Sequence, residues 1–445
     1  MTDIRCARRG FLGLGAGLAA SALAPSILAE TSRHGAFNWT LHRPEEVGMS
    51  RAGLEAVRAT VQKHIDSNEQ TGVVTAIARR NKLVWYEAQG VRDVKTGAPM
   101  RKDDLFRMMS STKPLTAVCV LMMMEAGRLS LDDKVSRFIP SFKDPKVAVP
   151  PAGWERAIAD PALRAKVASE VKLVPADREI TVKDLLTHTS GLSSFGSTLG
   201  PGPGSLVNTI KHVEGEALAD YINRLGSSAL DFQPGTLWRY SPLDGFETLL
   251  RVVEITSGQP ADAFMRERLF QPLGMRDTYF NVPEAKQGRL LTLYERKDGA
   301  WRTAPPMFGV RPTKYFSGAG GLMSTAHDYM QFEAMLFNHG ELNGRRLLRP
   351  STVALMTRNQ VGSLFADWIP PVTAGMGFGL GLGITLDPAV AKSGRSRGAF
   401  GWGGAYGTES WADPELELTA AFFVQQPVRG ALTDFQEAIR KAIVA

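Results

Sequence analysis

Short β-strands cluster at the two ends of this 445-residue chain, and a long helical stretch separates them. Residues 73–78 and 83–86 are apolar runs around Arg80-Asn81 and read as a hairpin. Far along the chain, residues 377–386, 398–404, 408–412 and 416–425 read as further strands. A parallel doubly wound sheet would alternate strand and helix throughout, and this chain does not. The fold expected is α+β (α/β in the broad sense): an antiparallel sheet flanked by helices, built from both chain ends, with a mostly helical insertion.

The helices follow from apolar spacing and caps. Ser50 can cap a helix over 51–67 that places Leu54, Val57, Val61 and Ile65 on one face. Others are expected from Ser110 to Gly127, and over 216–225, 243–256, 260–269, 351–356 and 433–444. Thr325 suits the cap of a helix over 326–337. A hairpin is expected over 290–303 with Asp298-Gly299 as its turn. Residues 141–180 are rich in Pro and charge and read as a surface excursion with a short helical pattern near 154–171. Residues 193–205 hold four glycines and two prolines and read as a loop. The expected sheet unit is 40–109 with 300–445, the helical unit is 110–299, and the active site lies between them.

The N-terminus reads as an address. Arg8-Arg9-Gly10-Phe11-Leu12 precedes an apolar stretch of small residues, with candidate cleavage sites after Ala24 or Ala29. The pattern resembles a twin-arginine export signal covering 1–29, with a periplasmic or secreted location expected. The apolar stretch is short for a membrane span, so membrane contact is expected only through this signal; an uncleaved anchor is the rival. Removing 1–29 takes away Asp3, Arg5, Arg8 and Arg9 and lowers the net charge from +7 to +5. No Lys/Arg run exceeds a dipeptide, so nucleic-acid binding has no support. Cys6 falls in the leader and leaves Cys119 alone, so no internal disulfide is expected in the mature chain. Cys119 lies in an apolar stretch and reads as core.

Three stretches carry candidate chemistry. Ser110-Ser111-Thr112-Lys113 opens an apolar helical run. Positions i and i+3 share a helix face, so the Ser110 hydroxyl and Lys113 amine point the same way. A lysine whose pKa is lowered can take the serine proton. Alone, Ser-x-x-Lys is a weak signal. Pro234-Gly235-Thr236-Leu237-Trp238-Arg239-Tyr240-Ser241-Pro242 delivers a tyrosine just before a helix. It can relay a proton beside a lysine, or merely pack. Phe400-Gly401-Trp402-Gly403-Gly404-Ala405 is a glycine-rich strand. It can admit a substrate carbonyl to backbone N–H groups, or be a bulged strand.

In this order the three resemble the serine β-lactamase and penicillin-binding-protein superfamily. Leu185-Leu186-Thr187-His188-Thr189-Ser190-Gly191-Leu192 and Gly320-Gly321-Leu322-Met323-Ser324-Thr325 extend the likeness to its class C-like branch. The resemblance spans roughly residues 45 to 440. It implies a β-lactamase/transpeptidase-like fold, Ser110 as nucleophile, Lys113 as its base partner and Tyr240 as second acid/base. It also implies an oxyanion hole from the Ser110 and Ala405 N–H groups. Trp402, Gly403, Gly404 and Ser241 are the expected substrate contacts. Pro242 stands where class C enzymes have asparagine, and Trp402-Gly403-Gly404 where they have Lys-Thr-Gly. Both departures look like family VIII carboxylesterases, so the expected substrate is a small neutral ester. A β-lactamase or D-alanyl-D-alanine carboxypeptidase-type peptidase is the alternative, and an acyltransferase or amide hydrolase a second. A non-catalytic acyl-binding sensor is disfavoured by Ser110, Lys113 and Tyr240 standing together. No cofactor or metal is expected, because no histidine pair has zinc spacing.

Two rivals are weaker. Gly394-Arg395-Ser396-Arg397-Gly398 matches a Gly-x-Ser-x-Gly elbow. That fold needs a histidine after its serine, and the last histidine here is His339. His188, between two threonines, reads as a loop brace beside the site.

Overall fold

The hairpin at Arg80-Asn81 forms because both residues adopt positive φ, +53° and +59°, as a two-residue turn between twisted strands requires. It joins β1 (Gly72–Arg79) to β2 (Lys82–Gly90). The computed structural model describes residues 36–193, 200–309, 311–426 and 430–444. The leader expected over 1–29 and part of the loop expected over 193–205 lie outside the described residues.

Five strands from the far end of the chain complete the main sheet: β3 (Met376–Phe378), β4 (Gly383–Thr385), β5 (Phe400–Gly403), β6 (Thr408–Asp413) and β7 (Leu418–Phe423). Their order is β3-β4-β5-β6-β7-β1-β2, and every pair is antiparallel. β1 and β7 meet with Val74 opposite Phe423, so the chain ends do build one sheet. β1 is buried at every position, as befits a strand covered on both faces.

Strand alternation divides the core. Val73, Ile77, Trp411 and Phe422 pack with Leu54, Val57, Phe435 and Ile439, under α1 (Arg51–Asp66) and the C-terminal helix Gly430–Ala442. Those two helices approach closely at Gly53, where a Cβ would lie 2.5 Å from the Ala442 Cα. On the other face, Val74, Ala76 and Phe423 pack with Leu115, Val118, Tyr329 and Phe332. These come from α2 (Thr112–Glu125) and from the helix Ala326–Phe337. Ser50 and Thr325 cap their helices as expected: the Gly53 N–H donates to Ser50 Oγ and the Asp328 N–H to Thr325 Oγ1.

Two expectations change. Residues 377–386 are two short strands, not one. The chain reverses through Gly379-Leu380-Gly381-Leu382, with Gly381 at φ +84° and the Gly379 N–H bonded to the Leu382 carbonyl. Apolar content alone could not reveal this, because Leu380 and Leu382 are buried inside the turn. The excursion over 141–180 carries its own hairpin, Lys146–Val149 against Lys172–Pro175, around the helix Pro161–Glu170. It is tied down where the Leu230 and Ala148 N–H groups reach the Lys146 and Leu230 carbonyls. No helix among the described residues is long and apolar enough to cross a membrane.

Candidate active site

The site is built at a strained corner. Phe106-Arg107 pairs with Met323-Ser324, and the chain then turns through Met109 at φ +49° before entering α2. A non-glycine residue there costs about 1–3 kcal/mol. Hydrogen bonds on both sides hold it. The Met108 N–H donates to the Leu322 carbonyl, and the Met108 carbonyl accepts from the Ser111 N–H and the Thr408 hydroxyl. The Tyr329 hydroxyl donates to the Ser111 carbonyl. The corner leaves Ser110 half-buried at the N-terminal end of α2.

Lys113 lies one turn along the same face, and no part of it is exposed. Its Nζ donates to Ser110 Oγ at 3.2 Å, to the Pro242 carbonyl at 2.6 Å and to the Ala319 carbonyl at 3.0 Å. An ammonium has three N–H donors, and each is used. The Tyr240 hydroxyl reaches Ser110 Oγ at 2.7 Å, and the Lys113 amine sits 5.1 Å from the centre of its ring. Proline at 242 has no side-chain amide to offer, yet its carbonyl helps to hold the amine.

The glycine-rich strand closes on this corner. A Cβ on Gly404 would lie 2.2 Å from the Met108 carbonyl oxygen, so only glycine permits the approach. A Cβ on Gly403 would lie 1.9 Å from a Glu409 carboxylate oxygen. Ala405 is exposed in the turn that the Gly407 N–H closes on the Gly404 carbonyl. The Thr408 hydroxyl ties that turn to the nucleophile segment through Met108 and Ser111. Trp402 is half-buried, edge-on to Phe378 at 5.2 Å and 5.8 Å from the Tyr240 ring. Trp238, Phe365, Phe378 and Trp368 continue the aromatic wall.

Ser241 corrects an expectation. It is 2% exposed; its hydroxyl accepts from the Gly245 N–H and its own N–H donates to His188 Nδ1. It lies beneath the site and holds the next helix, so its side chain is not offered to a substrate. The rivals are also placed. Ser396 is 2% exposed, with its N–H on Asp413 and no hydrogen bond to a histidine. Its neighbour Arg395 is locked to Glu409 at 2.5 Å. Cys119 is buried, and burial pushes its thiol up, away from reactivity. Among the described residues no cluster of His, Cys, Asp or Glu could hold a metal ion.

Sequence reasoning misses Glu247. It lies on the helix Asp244–Ser257, where Phe246, Leu249, Leu250 and Val253 make an apolar face. An acid on such a face is the signal that could flag it. Its carboxylate accepts from the Ser317 hydroxyl and the Gly318 N–H, and so holds the loop whose Ala319 carbonyl receives Lys113. Burial, with Asp244 adding, pushes its carboxyl from 4.5 up to about 8, against hydrogen bonds and the Lys113 charge. The folded protein thus binds this proton more tightly than the unfolded chain. Stability from this group is full below pH 4.5 and is lost as pH rises to about 8. Glu247→Gln is expected to flatten the fall in unfolding free energy between pH 5 and 8 by about 4 kcal/mol, on the order of the shift itself. Thermal unfolding of both proteins across that range checks it; identical slopes would show that Glu247 does not titrate there. Glu333, buried and pushed up to about 7 by burial, supplies a residual slope in both.

The fold defines a class, and comparison with known proteins agrees. A family model described as Beta-lactamase matches residues 57–442, and the chain belongs to that family. Protein Rv1367c of Mycobacterium tuberculosis is 33% identical over 384 residues, covering 84% of this chain and 90% of the relative. Esterase EstB of Burkholderia gladioli is 31% identical over 426 residues, covering 90% and 98%. Among solved structures, EstCE1, described as a hydrolase with promiscuous acyltransferase activity, superposes with a TM-score of 0.71 at 26% identity, covering 89% of this chain and 99% of its own.

Proposed function

We propose that this β-lactamase-family serine hydrolase cleaves carboxylic esters through an acyl-enzyme on Ser110. One observation carries the proposal: Ser110 Oγ receives both the Lys113 amine and the Tyr240 hydroxyl, at 3.2 and 2.7 Å. Both are within reach of the serine proton. Ser110 Oγ attacks the ester carbon as its proton passes to the Lys113–Tyr240 pair, which reacts in the form that carries one proton fewer than an ammonium beside a phenol. The oxyanion is met by the Ser110 and Ala405 N–H groups. Collapse expels the alcohol, which takes the proton back through Tyr240. Water then attacks the acyl carbon with the same pair as base, and Ser110 is restored.

The aromatic wall favours neutral, apolar esters. Trp402 stands where the resemblance places a lysine for a substrate carboxylate, and its ring offers a face rather than a charge. Likeness to EstCE1, with its promiscuous acyltransferase activity, supports a second outcome, in which an alcohol instead of water discharges the acyl group. The Arg8-Arg9 leader supports export to the periplasm or medium.

A substrate panel tests the assignment: p-nitrophenyl acetate and butyrate, nitrocefin, and a D-Ala-D-Ala peptide. Turnover of the short esters is expected to exceed that of nitrocefin and the peptide. The opposite ranking would replace the esterase with a β-lactamase or peptidase.

A further inference from the structure

We infer that His188 is a positioning residue for Tyr240, gripping the backbone on both sides of it; this rests on the role assigned to Tyr240 above. The His188 carbonyl accepts from the Arg239 N–H at 3.1 Å. Its imidazole Nδ1 accepts from the Ser241 N–H at 3.2 Å. The two peptide N–H groups that flank Tyr240 therefore end on one residue.

That residue is itself fixed. His188 has φ +56° and follows a one-turn helix, Val182–Leu186, closed by a Thr181–Asp184 capping box. Arg178 clamps Asp184 with two bonds, of 2.6 and 2.9 Å. The Gly235 N–H donates to the Thr189 carbonyl, so the segment leading to Tyr240 is tied to the same frame at a third point. The imidazole lies between the rings of Trp238, Tyr240, Phe246 and Phe378, at centroid distances of 4.7 to 5.4 Å. It has no room to swing off Ser241.

Nδ1 can accept only if it carries no proton. The ring must then be neutral with its hydrogen on Nε2. Burial, aided by the Lys113 charge, disfavours the imidazolium. Nε2 is buried with no hydrogen-bond partner among the described residues, and an unpaired buried donor costs about 1–3 kcal/mol. A phenyl ring would avoid that cost but would orphan the Ser241 N–H. The acceptor at Nδ1 is what the imidazole contributes, and it acts at the residue next to Tyr240.

His188→Leu is expected to lower kcat for p-nitrophenyl butyrate about 100-fold with KM within about twofold, because a small misplacement of a reacting group carries that cost. His188→Asn, whose Oδ1 can accept in place of Nδ1, is expected to recover at least about tenfold of the loss. In a Tyr240→Phe background, His188→Leu is expected to have little further effect on kcat. Wild-type kcat in His188→Leu, no recovery in His188→Asn, or an undiminished loss in the Tyr240→Phe background would each overturn the inference. Should the variants fail to fold, ¹⁵N spectra of the histidine-labelled wild-type protein at pH 7 still decide: a protonated Nδ1 on His188 overturns it, and a bare Nδ1 upholds it. Activity surviving in Ser110→Ala would instead overturn the site assignment, which keeps the two failures apart.

Discussion

Replacing Ser110 with alanine is expected to lower kcat/KM for p-nitrophenyl butyrate on the order of 10⁴-fold or more while the fold is retained. The hydroxyl is the only atom lost. Lys113 keeps the Pro242 and Ala319 carbonyls as acceptors, so its amine is not stranded. The strained corner at Met109 is held by Met108, Ser111, Leu322, Thr408 and Tyr329, none of which bonds to the Ser110 side chain. Steady-state kinetics and thermal unfolding check both halves. Mass spectrometry of the wild type, trapped with a slowly released ester, is expected to place the acyl group on the peptide that contains Ser110. An acyl group found elsewhere, or activity surviving within about tenfold in Ser110→Ala, would remove Ser110 from the mechanism. Ser396→Ala serves as the comparison and is expected to leave the rate unchanged, because Ser396 is enclosed.

Lys113→Met is the second large effect. The loss of kcat is expected to be about 10³-fold, within the range for removing a positioned acid or base. Tm is expected to change little. The wild-type amine makes three hydrogen bonds, but it is also wholly removed from water. Methionine relieves that burial but leaves the Pro242 and Ala319 carbonyls without their donor, so two effects oppose each other. Arginine is not expected to rescue the activity. Its fork is larger than an ammonium and cannot direct three donors at the single points where Ser110, Pro242 and Ala319 stand. Loss of activity with collapse of the fold would point to a structural lysine; loss with the fold intact supports its place in proton transfer.

The two variants also separate what each residue does from what each part of the chain does. Ser110 and Lys113 lie three positions apart on one turn, so local helix geometry brings them together before any long-range contact forms. Tyr240 stands 130 residues beyond Ser110, and no spacing rule sets that distance. A motif can nominate the tyrosine; only packing can deliver its hydroxyl to Ser110.

The differences between sequence and structure have the same origin. Ser241 reads as a substrate contact because it adjoins Tyr240. The Ser241 side chain points into the protein, toward the start of the next helix. Glu247 carries no local motif, because its role runs through a loop about seventy residues away, Ser317–Gly318. The split of 377–386 is hidden because both leucines in its turn are buried by contacts from elsewhere.

The sequence by itself determined the periodic and local features: the hairpin at Arg80-Asn81, the capped helices, and the shared face of Ser110 and Lys113. Each depends on interactions between residues a few positions apart, which repeat spacing and capping chemistry report directly. The tertiary structure alone decided the register of β1 on β7, the carbonyls that hold Lys113, the approach of Gly404 to Met108 and the His188 grip on both sides of Tyr240. Each joins segments dozens to hundreds of residues apart, and burial energy selects such contacts from many that the same sequence pattern would allow.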